Sequence, residues 1–214
     1  MSVSDFMTTE VVTVAPTTPV FDAIDLMKAH GIHRLPVVEN NRLVGLITEG
    51  VIQAALPSKA TSLSVYELNY LINKTNVQDV MIKTVETIGP DALLEAAIAK
   101  MRAKGIAVLP VLENDQLVGI ITNNDIFDAF LKITGYYEGG TRISVKISLD
   151  RTGVIAELSQ ILADHQMSIS TIVVNHLVDT TIVEFQVISQ DVVAIRTLFE
   201  AAGYQVVDAV VTNP

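Results

Sequence analysis

The feature that most constrains this chain is an internal repeat with a constant offset of 74 residues. The segment LPVVENNRLVGLIT at 35–48 returns as LPVLENDQLVGIIT at 109–122, and 10 of the 14 positions are identical. The same offset pairs Met7 with Met81, and no insertion is needed anywhere. A repeat of fixed period indicates one supersecondary unit used twice. We therefore predict two copies of one unit, at residues 1–56 and 77–134.

Each copy predicts the element order β-α-β-β-α. A short β-branched stretch comes first, Val11–Val14 or Val85–Ile88, and an amphipathic helix follows it. Two apolar runs then flank the turn sequences at 39–41 and 113–115, which predicts a hairpin. The second run ends in a threonine that precedes another helix.

The ends of the first helix in each copy carry recognisable signals. Thr18 is the predicted N-cap, with Pro19 as the first helical residue. Gly31 and Gly105 are the predicted C-terminal stops, because glycine readily adopts the left-handed conformation found there. Residues 57–76 connect the copies, and we predict a helix near Val65–Ile72 with Ser62 or Ser64 as its cap.

The copies differ where the last strand turns into the last helix. The second copy has Thr122 and Asp125, whereas the first has Thr48 and Val51. A helix N-terminus offers unpaired N–H groups and a positive dipole end, which suit a phosphate. A carboxylate three residues on could accept both hydroxyls of a ribose. The alternative is that Thr122 and Asp125 only cap the helix.

The last third of the chain changes its pattern. Residues 143–149 alternate apolar and polar side chains, which predicts a half-buried strand after a glycine-rich linker at 135–142. A helix over 154–162, strands at 169–175 and 181–188, a helix after Asp191 and a strand at 204–211 follow. The order βαββαβ is that of a ferredoxin-like fold. The apolar run at 169–174 predicts a strand that is buried on both faces or forms an interface.

Composition excludes several classes of function. The net charge is −10 with scattered basic residues, which argues against nucleic acid or an anionic membrane as partner. Cysteine is absent, so disulfides and thiolate sites are excluded. The four histidines form no metal-binding pattern, and no catalytic constellation or Walker loop is present. Because no catalytic constellation is visible, we expect a protein without enzymatic activity. We expect it in the cytoplasm, since no apolar span or secretory signal is visible.

The repeat resembles the CBS domain, which occurs in tandem pairs. The residues that carry the likeness are HRLPVV at 33–38, VLPVL at 108–112, GLIT at 45–48 and GIITNND at 119–125. The resemblance implies one module in which the Thr-x-x-Asp corner holds an adenosine ligand such as AMP, ADP or ATP. The implied nucleotide-binding residues are Thr84, Val85, Ala107, Val108, Pro110, Thr122, Asn123 and Asp125, with Arg34 reaching a phosphate across the cleft.

Residues 141–214 resemble the ACT domain through the turn DRTGVIAELSQIL and the βαββαβ order. Such domains pair side by side and bind amino acids at the turn after their first strand. The positions implied for an amino acid are Asp150, Thr152, Gly153, Val154 and Ile155. Thr152 and Ser168 depart from residues that are frequent in this family, so dimerisation is the favoured role.

The fold class expected is therefore α/β (α+β), with a CBS pair followed by a ferredoxin-like ACT domain. This architecture resembles that of the acetoin-utilisation AcuB-like regulatory proteins. We expect an allosteric sensor that forms a homodimer through its CBS and ACT domains, binds an adenosine nucleotide, needs no cofactor and acts on an unidentified protein. The alternatives are a ligand-free dimerisation scaffold for a metabolic enzyme and a cyclic di-AMP receptor.

Overall fold

The structure is a computed structural model of the chain that describes residues 1–55 and 74–212. It divides into two compact units, residues 1–126 and 127–214. The helix predicted near Val65–Ile72 and its serine caps lie outside the described residues. Each unit has a sheet of four strands, so the α+β class is confirmed.

The first unit contains both copies of the repeat. Its helices and strands are a 3₁₀ turn Val3–Asp5, α1 (Val20–His30), β1 (Arg34–Glu39), β2 (Arg42–Thr48), α2 (Glu49–Ala55), α3 (Val77–Val80), α4 (Leu94–Lys104), β3 (Val108–Glu113), β4 (Gln116–Thr122) and the start of α5 (Asn123–Ile133). Apolar side chains from α1, β1 and β2 form the core of the first copy, with Met27 and Leu35 almost fully buried. The 3.6-residue spacing of the apolar positions on α1 explains why one face of this helix is buried.

Both copies form the predicted hairpin. Strand β1 pairs antiparallel with β2, and β3 pairs in the same register with β4. The turn residues Asn40 and Asn41 have φ values of 50° and 63°, and Asn114 and Asp115 repeat these values. Asparagine and aspartate tolerate this left-handed conformation, which a two-residue hairpin turn requires. The sheet order is β1-β2-β4-β3, so the two hairpins share one sheet.

The short strand predicted at the start of each copy is wrong. The stretches Val11–Val14 and Val85–Ile88 form no strand; only Val14 and Ile88 make isolated parallel bridges, to Val37 and Val111. Each bridge rests on two backbone hydrogen bonds, so the β-branched residues have too few partners for a ladder. 

The start of α1 also differs from its prediction. Pro19 is the N-cap and the helix begins at Val20. The hydroxyl of Thr18 instead accepts a hydrogen bond from the N–H of Ala15 at 3.1 Å, so it closes the preceding turn. The predicted stops are confirmed, because Gly31 and Gly105 lie in the left-handed region with φ near 62° and 63°.

The copies exchange the segments that precede their helices. Thr8 of the first copy bridges Ile120 on β4, and Ile82 of the second copy bridges Leu46 on β2. Similarly, the N–H of Val77 donates to Thr18 O and the N–H of Val3 donates to Ala92 O. Each copy is therefore completed by residues of the other.

The second unit has the predicted βαββαβ order. After the end of α5 and a 3₁₀ turn, Tyr136–Glu138, come β5 (Gly140–Ile147), α6 (Val154–Asp164), β6 (Ile169–His176), β7 (Thr181–Val187), α7 (Val192–Ala201) and β8 (Gln205–Thr212). The sheet is antiparallel in the order β6-β7-β5-β8. Its core includes Phe185 and Phe199, whose rings stack at 5.7 Å. The helix predicted after Asp191 is confirmed, and the Asp191 carboxylate caps it by accepting from Ala194 N–H.

The linker is shorter than residues 135–142, because β5 already begins at Gly140. Gly140 has a φ of 97°, and a Cβ there would lie 2.2 Å from the carbonyl oxygen of Val187. Only glycine permits strands β5 and β7 to approach so closely.

Strand β6 lies at the edge of its sheet. The alternative that the run at 169–174 is buried on both faces is wrong, because neighbouring side chains on opposite faces are exposed. Ile172, Val173 and Val174 are each about 40% exposed, which leaves the interface alternative.

Candidate functional site

The Thr122–Asp125 corner is a compact hydrogen-bonded cap. Asp125 Oδ2 accepts a hydrogen bond from the N–H of Thr122 and another from its hydroxyl, both at 2.7 Å. The N–H of Asp125 points back to Thr122 Oγ1 at 3.4 Å. The capping role is thus present in the structure. Both hydrogen bonds that the carboxylate accepts from described residues end on Oδ2, and Asp125 is only half-buried.

Several residues predicted for the nucleotide site lie together at this corner. Thr122 pairs with Val108 across β3 and β4, and the N–H of Asn123 donates to Ala107 O at 3.3 Å. Pro110 is buried two residues further along β3. The corner thus combines an apolar strand start with a polar helix start, the two features on which the prediction of an adenosine ligand depends.

Thr84 and Val85 lie on a separate segment, between the bridges at Ile82 and Ile88. No hydrogen bond among the described residues joins them to Thr122 or Asp125. The neighbouring Glu86 contacts Lys104 at 2.6 Å and Lys100 at 3.1 Å. These bonds, that of Lys104 first, lower the pKa of the Glu86 carboxyl. The segment is fastened to α4 in this way.

The equivalent corner of the first copy has other chemistry. The hydroxyl of Thr48 accepts from Val51 N–H at 3.2 Å, but Val51 stands where the second copy has the carboxylate of Asp125. Arg34 pairs with Thr48 across the strands and therefore occupies the place that Val108 takes in the second copy. His33 Nδ1 lies 3.0 Å from Glu49 Oε2, an ion pair when the imidazole is protonated. Arg34 thus lies at the corner of the first copy. A contact between its side chain and a phosphate at the corner of the second copy stays a prediction.

A cavity of about 290 Å³ lies elsewhere in the first unit. It is lined by Thr9, Val11, Thr13, Val38, Asn41, Gln116 and Leu117. None of these belongs to the predicted nucleotide site. The cavity borders the segment that runs from the bridge at Thr8 to the bridge at Val14.

The turn predicted to hold an amino acid is occupied by internal contacts. Arg151 donates two hydrogen bonds to the Glu157 carboxylate at 2.8 and 2.7 Å, and the Tyr204 hydroxyl donates a third at 3.0 Å. The bonds from Arg151, and then that from Tyr204, lower the pKa of Glu157. Burial, followed by the bond to Glu157, raises the pKa of Tyr204.

The remaining turn residues are exposed to different degrees. Asp150 Oδ2 lies 3.4 Å from Thr181 Oγ1 and 3.5 Å from His176 Nδ1. Gly153 has a φ of 95° and open space around the position of a Cβ, so it serves the turn rather than a close backbone contact. Thr152 is exposed, Val154 is buried and Ile155 is half-buried.

Sequence reasoning missed the residues that hold the corner from outside its own copy. Met7 and Thr8 belong to the first copy in sequence but lie against β4 of the second. The repeat itself contained a signal, because Met7 and Met81 recur at the 74-residue offset. A side chain that recurs outside the predicted elements implies that it makes a contact, but it does not show which copy it contacts.

Metal sites and membrane-spanning helices are two further features that the described residues do not show. Within residues 1–55 and 74–212, no group of three His, Asp or Glu side chains is placed to hold a metal ion. Over the same residues, no helix combines the length and apolar character needed to cross a membrane.

Comparison with known proteins places the repeat in a family. The model of the CBS domain matches residues 3–57 and 77–132, which is more than half of the chain. The CBS domain-containing protein YhcV of Bacillus subtilis is 34% identical over 125 residues, covering 58% of this chain and 82% of YhcV. An inosine-5'-monophosphate dehydrogenase of Korarchaeum cryptofilum is 31% identical over 163 residues. That match covers 73% of this chain and only 31% of the enzyme.

Solved structures share the fold of the first unit. The AcuB protein of Vibrio cholerae, named for acetoin utilization, is 30% identical with a TM-score of 0.55, over 64% of this chain and 96% of that protein. CBSX2 of Arabidopsis thaliana in complex with AMP is 30% identical with a TM-score of 0.52, over 62% and 97%. The CBS pair of protein MJ0100, in complex with 5-methylthioadenosine and S-adenosyl-L-methionine, is 26% identical with a TM-score of 0.51, over 61% and 99%.

Proposed function

The chain belongs to the CBS-domain family, and on that premise we propose that it is a non-catalytic regulatory protein that binds AMP or a related adenosine nucleotide. The site is the Thr122–Asp125 corner of the second copy. The observation that carries this proposal is a carboxylate fixed at a helix start beside a buried apolar strand end. Two similar structures hold adenosine compounds, AMP in one and S-adenosyl-L-methionine with 5-methylthioadenosine in the other.

Each part of the corner has a role in this proposal. The N–H groups at the start of α5 receive the phosphate, joined by the Thr122 hydroxyl when its proton turns from Asp125 to the ligand, and Asp125 accepts the ribose hydroxyls. Ala107, Val108 and Pro110 form the apolar side towards the base, joined by Thr84 and Val85. The scarcity of Lys and Arg at the corner favours a ligand with few phosphates.

One site is expected in each chain rather than two. Val51 offers no acceptor for ribose hydroxyls, and Glu49 brings a carboxylate, paired with His33, to the start of α2. This carboxylate would repel a phosphate at the helix end where the second copy has the neutral Asn123.

The test of this function is calorimetric titration with AMP, ADP, ATP and S-adenosyl-L-methionine. We expect one AMP per chain and binding that weakens by about tenfold to several hundredfold in Asp125→Asn, because charged hydrogen bonds contribute about 1.5–3 kcal/mol each. Asp128→Asn removes the same charge from an exposed position on the same helix and should bind as the unchanged chain does. Absence of heat with every adenosine compound would refute the proposal.

We further propose that the second unit is an ACT domain whose main role is to hold two chains together. The βαββαβ order and the exposed edge strand β6 support this role. Asp150 and Arg151 are engaged with His176 and Glu157, so an amino acid at Asp150, Thr152, Gly153, Val154 and Ile155 would have to displace these contacts. The nucleotide signal would pass to a regulated protein through the dimer.

A further inference from the structure

We infer that Met7 and Thr8, which belong to the first copy, are positioning residues for the ligand corner of the second copy. The inference rests on the proposed function, because it concerns what holds the Thr122–Asp125 corner in place. It adds that nucleotide binding at this corner and the docking of residues 1–8 are energetically coupled.

The contact between the two segments is a pair of backbone hydrogen bonds. Thr8 N–H donates to Ile120 O, and Ile120 N–H donates to Thr8 O, both at 2.9 Å. Ile120 lies two residues before Thr122 on β4. A displacement of Thr8 therefore acts on the strand whose end carries the cap of α5.

Met7 adds a side-chain contact next to these bonds. A Cβ at Gly119 would lie 2.5 Å from Met7 Sδ and 3.1 Å from Thr8 O. The glycine is therefore the surface on which Met7 rests, and this close approach depends on the absence of a side chain. Met7 therefore sets the distance between β4 and residues 1–8, which we call the docking segment.

The docking segment is anchored at its other end to the second copy as well. Val3 N–H donates to Ala92 O at 2.8 Å, and Ser4 N–H donates to Pro90 O at 3.0 Å. Val3 is fully buried. Residues 1–8 thus pack with the second copy in space, although they belong to the first in sequence.

Beyond Thr8 the chain returns to the first copy. Val14 N–H donates to Pro36 O, and Val14 O accepts from Val38 N–H, so both bonds tie Val14 to β1. Between these attachments Thr9, Val11 and Thr13 line the 290 Å³ cavity. One short segment therefore joins the ligand-bearing strand of one copy to the core of the other, and coupling between sites is reciprocal by linkage.

Hydrogen exchange with mass spectrometry tests the coupling on the full chain. Saturating AMP should slow exchange in the peptide covering residues 1–9 as well as in the peptide covering 119–126. These peptides are more than 100 residues apart in sequence. Protection at 119–126 with no change at 1–9 would overturn the inference while leaving the proposed function intact. No binding of AMP at all would instead refute the proposed function.

A set of methionine variants separates positioning from general stability. Met7→Ala should weaken AMP binding about tenfold, within the range of coupling between sites, and Met7→Leu should restore most of it by refilling the contact with Gly119. Met27→Ala is the matched control, because Met27 is buried in the first copy and away from β4. Titrations at a temperature where all variants remain folded should show Met27→Ala within about twofold of the unchanged chain. Equal weakening in the Met7→Ala and Met27→Ala variants would overturn the inference.

Discussion

The carboxylate of Asp125 accepts two hydrogen bonds from Thr122, one from the backbone and one from the hydroxyl. Thr48 and Val51 show what remains of this cap when the carboxylate is absent, a single bond from Val51 N–H to the hydroxyl. Both corners still turn from strand to helix, so the fold does not require the carboxylate. This difference between residues at equivalent positions is the reason to assign Asp125 to a ligand in addition to its cap.

Glu157 gives a prediction on the pH dependence of stability. Its folded pKa lies below the ordinary 4.5, because Arg151 and then Tyr204 donate hydrogen bonds to the charged form. The stabilisation is therefore complete above about pH 4.5 and is lost as the pH falls through the lower folded value. Tyr204, with a pKa raised above 10.0, stabilises the fold below pH 10 and less above it.

Urea unfolding of Glu157→Gln at a series of pH values measures this effect. We expect a shallower loss of stability below pH 4.5 than in the unchanged chain. Glu200→Gln is the control, because Glu200 makes one contact with Arg196 at 3.5 Å and should leave the acid slope unaltered. An acid slope that is the same in all three proteins would contradict the assignment.

The residues of the candidate corner could be predicted from the sequence only in part. Thr122, Ala107 and Val108 come together because a hairpin register fixes which strand ends are adjacent. Met7 and Thr8 were not foreseen, since an exchange between copies leaves the same local pattern as docking within one copy. Arg34 was predicted to reach a phosphate across the cleft; its strand neighbour is Thr48 of its own copy, and the reach stays a prediction.

At the level of elements, β6 is the surface that most needs an explanation. It is an edge strand with apolar side chains on both of its faces, and such edges pair with other chains unless they are protected. Ile172 pairs with Phe185 and Val174 with Val183 on the helix-covered face, whereas Val173 pairs with Glu184 on the other. Pairing with β6 of a second chain would cover apolar side chains on both faces of the strand.

The variant Val173→Lys tests this interface. The lysine gains Glu184 as a cross-strand partner and should therefore leave the strand folded, while its charge opposes pairing with a second chain. Light scattering should show the mass of a monomer, against a dimer for the unchanged chain. Val178→Lys changes a fully exposed residue beyond the strand and should remain dimeric. A dimeric Val173→Lys would remove β6 from the interface.

The elements themselves were predictable where periodicity was strong. The helices α1 and α4, both hairpins and the whole βαββαβ order follow from apolar spacing and turn residues. The stretches at 11–14 and 85–88 were misread as strands, because β-branched composition does not reveal how many partners a segment has. Burial of β6 was likewise undecided by its sequence, since a buried strand and an interface strand have the same composition.

At the scale of the whole molecule, the two units have separate cores. One core centres on Met27 and Leu35, and the other on Phe185 and Phe199. The repeat predicts the first and the change of alternation near residue 143 predicts the second. A ligand that binds only the first unit should therefore stabilise one core selectively, since binding stabilises only the state that binds.

Scanning calorimetry with and without AMP measures this selectivity. We expect two transitions, of which AMP at 100 times its Kd raises the one of residues 1–126 by about 8 °C, corresponding to about 2.7 kcal/mol. Gly140→Ala should lower only the other transition, because its Cβ would meet the Val187 carbonyl at 2.2 Å. AMP affinity in this variant should equal that of the unchanged chain. If AMP and Gly140→Ala each moved both transitions, the two units would unfold as one, and the nucleotide would act on the entire chain rather than on the repeat.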